Sequence, residues 1–250
     1  MNTKEALSKV PEVTLVFWII KILATTLGET GGDAVSMSMQ LGYLLSTGIF
    51  ALVFVVAVTV QMASKAFHPL IYWTTIVATT TLGTTLADFA DRSLGIGYAG
   101  GASLLLTLLL LSLYVWRMTL GSIAVETVAS PRSEMFYWVT IMFSQTLGTA
   151  LGDWVADTNG LGYGASALIF GGSLALVTLA YYKSKISHIY LFWAAFILTR
   201  PLGAVLGDFI DKPVAEGGLE LSRFMATASL LALMVFFMFS FRQKAAIKLH

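Results

Sequence analysis

The chain contains no cysteine, which excludes disulfide frameworks, thiol catalysis, zinc–thiolate sites and iron–sulfur clusters while leaving the redox compartment open. Charge is also scarce: 12% of the 250 residues are Asp, Glu, Lys or Arg, against about 25% in a soluble domain. The few charges nearly cancel, 15 basic against 14 acidic, so no bulk field exists to attract nucleic acid or an acidic partner. Gly-rich phosphate loops, His-rich zinc motifs and nucleophile elbows are missing. The three histidines, His68, His188 and His250, fall at helix starts or at the terminus and read as interfacial groups, not as metal ligands. Composition likewise excludes disorder, coiled coil and collagen.

Apolar residues are abundant, at 57%, and the mean hydropathy is +0.80. A helix needs about 20 largely apolar residues to cross the hydrocarbon core. Eight such stretches are readable, at residues 13–33, 38–62, 69–91, 97–118, 134–156, 163–182, 188–210 and 222–241. They use nearly the whole chain and leave no soluble domain. The opening segment, with Lys4, Lys9 and an apolar run from Val13, resembles a signal peptide. Its run is too long for one and recurs later, so it reads as the first span. Lys and Arg in short loops stay cytoplasmic. Lys4, Lys9, Lys65, Arg117, Arg132, Lys183, Lys185, Arg242, Lys244 and Lys248 share the side holding the termini, against Arg92, Lys212 and Arg223 opposite. Both termini are therefore expected in the cytoplasm.

A fourfold internal repeat organises the sequence. Aligning Trp18, Trp73, Trp138 and Trp193 brings Gly28, Gly83, Gly148 and Gly203 into register, then Asp33, Asp88, Asp153 and Asp208, then Gly42, Gly97, Gly162 and Gly217. No gap is needed. The expected boundaries are 11–65, 66–120, 131–185 and 186–242, within halves 1–120 and 121–250 of a single transmembrane domain. A unit of two spans preserves orientation, so the repeats should be parallel, related by an axis along the membrane normal. The expected fold is all-α, with eight transmembrane helices in four parallel two-helix repeats.

Tandem two-span repeats, each with a Trp and a T-L-G-[ET]-like element (Thr26 to Glu29, Thr81 to Thr84, Thr146 to Thr149, and the departure Pro201 to Ala204), resemble the bacterial membrane proteins defined by the DUF347 repeat. The resemblance implies a polytopic protein of the bacterial inner membrane and no particular activity.

Residues i, i+4 and i+8 share a helix face. That step traces a polar stripe up each odd-numbered helix: Lys21, Thr25, Glu29, Asp33; Thr80, Thr84, Asp88; Gln145, Thr149, Asp153, Asp157; and Arg200 and Asp208, interrupted by Ala204. At about 1.5 Å per residue, each stripe climbs from mid-membrane to the outer mouth. Gly28, Gly83, Gly148 and Gly203 begin small-x-x-x-small pairs that let helices approach closely. Facing lipid, Lys21, Glu29 and Arg200 would together cost on the order of 8–10 kcal/mol. The odd helices should therefore gather with their stripes inward and the even helices outside.

Carboxylate, hydroxyl and amide oxygens are hard ligands suited to Mg²⁺, Ca²⁺ or Mn²⁺. The expected function is transport of a small cation, a divalent or other metal ion, by proton-coupled antiport. Glu29, Asp33, Asp88, Asp153 and Asp208 are the candidate cation-binding groups, with Glu29, Asp153 and Asp208 the metal ligands. Thr25, Thr80, Thr84, Gln145 and Thr149 form the polar lining, Lys21 and Arg200 a charge gate, and Asp91, Asp157 and Asp211 a negative outer vestibule. The expected partners are the lipid bilayer and the cation, with no nucleic acid and no cofactor; a homo-oligomer is compatible with the sequence. Alternatives are an anionic or organic solute held by Lys21 and Arg200, or a structural or sensory protein whose repeated acids pair with Arg92, Lys212 and Arg223. An enzyme is not expected. Leu-Gly-Asp at 151–153 and 206–208 resembles half of an intramembrane aspartyl protease site, but the required Gly two residues before Gly152 or Gly207 is absent.

Overall fold

The computed structural model describes residues 8–158 and 160–246. Lys4 and Lys248, used above for orientation, and His250, read above as interfacial, lie outside them. Eight long helices follow in order: α1 (Leu15–Asp33), α2 (Gly42–Ala63), α3 (Pro69–Asp88), α4 (Tyr98–Leu120), α5 (Pro131–Thr158), α6 (Gly162–Lys183), α7 (His188–Asp211) and α8 (Arg223–Ser240). No strand occurs among the described residues, apart from one isolated bridge between Pro11 and Ala245. Six helices are long and apolar enough to cross a membrane, so the protein is of the membrane-type helical class. The exceptions are α3, crowded with threonine, and α5, which carries Arg132, Glu134, Asp153 and Asp157.

Local sequence accounts for the helix ends. The Thr14 hydroxyl accepts from the Phe17 amide to cap α1, and Pro69 sits at the start of α3, where its missing N–H costs nothing. Short π-helical turns, Ala34–Ser38 and Phe89–Ser93, extend α1 and α3. The second glycine of each repeat has positive φ: 73° at Gly42, 74° at Gly97, 69° at Gly162 and 86° at Gly217. A side chain there is strained, which explains why glycine recurs at this turn.

The odd helices form a closed ring in which α1 packs on α3, α3 on α5, α5 on α7 and α7 back on α1. Each repeat glycine receives the next helix's stripe residue. A Cβ at Gly28 would meet Thr80, at Gly83 it would meet Gln145, at Gly148 Arg200, and at Gly203 Thr25. The contact therefore repeats four times around the ring, as close helix approach through small residues requires.

Hairpin partners are not the main neighbours. α2 packs on α3, α4 on α5, α6 on α7 and α8 on α1, so each even helix lies chiefly against the odd helix of the next repeat. The outward faces of these helices are apolar, with Leu52 on α2, Leu110 on α4, Leu168 on α6 and Phe239 on α8 exposed. Of the four repeat tryptophans, Trp18 is half-buried. Trp73, Trp138 and Trp193 are buried inside the ring, where they pack with Phe17, Tyr72, Tyr137 and Phe196. The Tyr72 and Tyr137 hydroxyls are 2.6 Å apart. Strands of chain at 8–12 and 244–246, together with the loop near Val128, cover this end: Glu12 N donates to Lys244 O, Ala246 N to Val10 O, and Lys9 N to Val128 O.

Candidate functional site

The stripes meet inside the ring in layers set by the repeat frame. Lys21, Ile76, Ile141 and Phe196 are equivalent positions, and all are fully buried. One turn further along are Thr25, Thr80, Gln145 and Arg200, then Glu29, Thr84, Thr149 and Ala204, and then Asp33, Asp88, Asp153 and Asp208; none of these exposes more than 5% of its surface. All the expected lining and cation-binding residues are therefore buried in the layers between the odd helices.

Arg200 ties the ring together. Its Nη1 donates to Glu29 Oε2 on α1 at 2.9 Å, and its Nη2 donates to Thr84 Oγ1 on α3 at 2.6 Å and to Thr149 Oγ1 on α5 at 2.5 Å. Thr84 Oγ1 stands 3.2 Å from Glu29 Oε2. One guanidinium thus joins all four odd helices, using its planar fork of donors. Thr25 turns to the α7 seam, where its hydroxyl donates to Ile22 O at 2.8 Å or Thr199 O at 3.2 Å.

The two halves of the expected charge gate behave differently. Among the described residues Lys21 pairs with no carboxylate and its Nζ has no hydrogen-bond partner; it lies 4.1 Å from the centre of the Phe196 ring. Such a cation–π contact contributes about 0.5–2 kcal/mol. Thr80 Oγ1, Ser144 Oγ, both side-chain polar atoms of Gln145 and Arg200 Nε are also buried without partners.

At the aspartate end the vestibule differs from an open carboxylate mouth. Arg92 Nε lies 2.9 Å from Asp88 and its Nη2 3.3 Å from Asp153. Lys212 Nζ lies 2.6 Å from Asp33 and 3.2 Å from Asp208. Arg223 Nε stands 3.4 Å from Asp211 and 3.9 Å from Asp33. These three bases cover the carboxylates. A cleft of about 480 Å³ opens above them, lined by Arg92, Lys212, Arg223, Asp157, Tyr43 and Tyr163 among others. Burial works against the Lys212 charge, but Asp208 and Asp33 outweigh it and hold the ammonium above its usual range. Burial opposes the Arg92 charge in the same way, and Asp88 and Asp153 again prevail.

The three vestibule acids separate. Asp157 is exposed, within α5 and not beyond its end, and accepts from Tyr98 OH at 2.9 Å. Asp91 turns toward Gly101 at the start of α4. Asp211, the last residue of α7, is buried and converges with Asp33 and Asp208, one carboxylate oxygen from each lying within 4.8 Å of the others. Glu29, Asp153 and Asp208, the expected ligand trio, are not brought together in this way: Glu29 is held one turn below by Arg200, and Asp153 by Arg92 across the ring. Beyond orienting the chain and pairing with the acids, Lys212 and Arg92 had no expected role, and Met37 had none. The available signal was the repeat frame, which makes Met37, Arg92, Asp157 and Lys212 equivalent.

Fold and site together define a membrane-type helical bundle whose ring of four helices encloses a buried ionic column. The family described as Repeat of Unknown Function (DUF347) matches the chain four times, over residues 16–67, 71–121, 136–187 and 191–245, and the chain belongs to that family. Neither the curated proteins nor the solved structures contain a significant match to it.

Proposed function

We propose that this protein is an integral membrane transporter of a small inorganic cation, a divalent or other metal ion exchanged for protons. In this reading all eight helices span the bacterial inner membrane as four parallel two-helix repeats, both termini are cytoplasmic, and no catalytic step is involved. The observation that carries the reading is the Lys212 ammonium lying between Asp33 and Asp208 on neighbouring helices. A side-chain cation held between carboxylates occupies the place that a mobile cation would take, beneath a cleft open to the aqueous side. The other features fit an ion path held shut. Arg200 and Glu29 close the column at mid-depth, and the aromatic cluster around Tyr72 and Tyr137 closes its other end.

The test is total-element analysis of cells expressing the wild type or an Asp153→Asn/Asp208→Asn double variant, challenged in turn with Mn, Mg, Ca, Fe, Co, Ni, Zn and Al. The expected result is one element whose cellular content changes with the wild type and not with the variant. No change in any element overturns the reading. Lys21, buried without a carboxylate, favours a second reading in that event: an anionic or organic solute held by Lys21 and Arg200.

A further inference from the structure

The two sides of the aspartate layer follow one plan and are finished differently. Arg92 and Lys212 are equivalent in the repeat frame, as are Asp91 and Asp211. Each base reaches back four residues to its own helix's aspartate and across to the aspartate of the following helix. Between α3 and α5 the base is arginine, and Asp91 turns away toward Gly101. Between α7 and α1 the base is lysine, and Asp211 turns in.

Only on this second side do three carboxylates converge among the described residues, with oxygens of Asp33, Asp208 and Asp211 inside a 4.8 Å sphere of mutual distance. Asp33 Oδ1 and Asp211 Oδ1 are buried without a hydrogen-bond donor among the described residues, and Asp211 Oδ2 faces only the Arg223 Nε at 3.4 Å. Asp33 exposes 1% of its surface and Asp211 6%. A fourth donor is at hand, because Met37 Sδ lies 3.9 Å from Lys212 Nζ. Resting on the cation-transport reading, we propose that Asp33, Asp208, Asp211 and Met37 form a binding site for a divalent first-row transition metal such as Mn²⁺ or Fe²⁺, with the Lys212 ammonium as its tethered competitor.

Charge selects a divalent ion. Three carboxylates against Lys212 and Arg223 leave one negative charge over, and a divalent ion in place of the ammonium brings the group to neutrality, the favoured state where water is scarce. Size permits it, since the three oxygens lie within 4.8 Å of one another, a span that two metal–oxygen bonds of roughly 2.4 Å can bridge. The thioether selects among divalent ions. Oxygen ligands alone suit Mg²⁺, Ca²⁺ and Mn²⁺ alike, and a softer sulfur donor shifts preference toward transition metals. Lysine suits the competitor's role, being a point charge on a flexible stem, whereas the guanidinium of Arg92 is a rigid fork suited to a permanent tie. The ammonium borders the cleft of about 480 Å³, which gives it somewhere to go.

The experiment titrates the full-length protein in nanodiscs with Mn²⁺ and follows the electron paramagnetic resonance signal of the free aqueous ion. Lys212→Met removes the competitor and should tighten Mn²⁺ binding, a gain that a misfolded variant cannot produce. Asp211→Asn should weaken binding by more than about tenfold, as loss of a ligand implies, while the equivalent Asp91→Asn leaves it unchanged. Met37→Leu should lower the preference for Mn²⁺ over Ca²⁺ in competition. Equal effects of Asp91→Asn and Asp211→Asn, or no gain in Lys212→Met, would overturn the site, as would absence of Mn²⁺ binding in both the wild type and Lys212→Met. Wild-type cation transport that Asp211→Asn does not alter would overturn this site alone; Mn²⁺ binding here without transport of any cation would overturn the transporter reading alone.

Discussion

Glu29→Gln isolates the ion pair at the centre of the ring. Arg200 is fully buried and has Glu29 as its one ion-pair partner among the described residues, at 2.9 Å. Glutamine preserves the shape and still accepts a hydrogen bond, but it leaves the guanidinium charge uncompensated. Removing one member of a buried pair costs about 3–5 kcal/mol. For a chain of this size each kcal/mol lowers Tm by about 2–4 °C, so the variant should melt about 6–20 °C below the wild type. Adding Arg200→Gln takes away the stranded charge and should recover more than half of that loss, even though it also removes the bonds to Thr84 and Thr149. Under the proposed transport function, both variants should also be inactive, since the paired carboxylate is gone. The assay is thermal unfolding in nanodiscs followed by tryptophan emission, because Trp73, Trp138 and Trp193 are buried in one cluster at the end of the ring. A single variant that melts with the wild type, or a double variant no more stable than the single, would refute the argument that charge compensation holds this centre together.

Two further outcomes follow from the packing. A Cβ at Gly83 would lie 2.9 Å from the Gln145 carbonyl carbon and 3.0 Å from Thr146 N; these are backbone atoms that yield only if α3 and α5 separate, so Gly83→Ala should cost about 1–3 kcal/mol, seen as a lower Tm. Gly48→Ala meets nothing within 4 Å and should melt as the wild type does, and equal behaviour of the two would contradict the close-approach role. At the opposite end, Lys9 Nζ is 2.6 Å from Glu134 and donates to Met62 O at 3.0 Å. Glu134→Gln should weaken this tether by about 1.5–3 kcal/mol and speed proteolytic cleavage near residue 9; unchanged cleavage would show that the backbone bonds of this segment hold it without the ion pair.

Much of this protein was written in local spacing. Six of the eight long helices follow from apolar runs of membrane length, and the Gly and Asp registers follow from a repeat that needs no gap. The inward turn of Thr84, Thr149 and Asp153 follows from the period of 3.6 residues, because they share a face with charged residues that are costly in lipid. The recurrence of glycine at 42, 97, 162 and 217 is plain in the sequence, whereas the positive φ that explains it belongs to the folded turn. What spacing leaves open is which stripes meet. Arg200 and Glu29 are 171 residues apart in sequence, and Lys212 and Asp33 are 179 apart; each pair exists because α7 closes the ring onto α1, a contact that no local pattern encodes. The preference of each even helix for the odd helix of the next repeat was hidden for the same reason. Side-chain reach decided the rest. Asp91 and Asp211 hold identical places in the repeat, yet one turns to α4 and the other into the Asp33–Asp208 cluster. That difference lies in the neighbours each meets once the ring is shut, and tertiary structure alone supplies them.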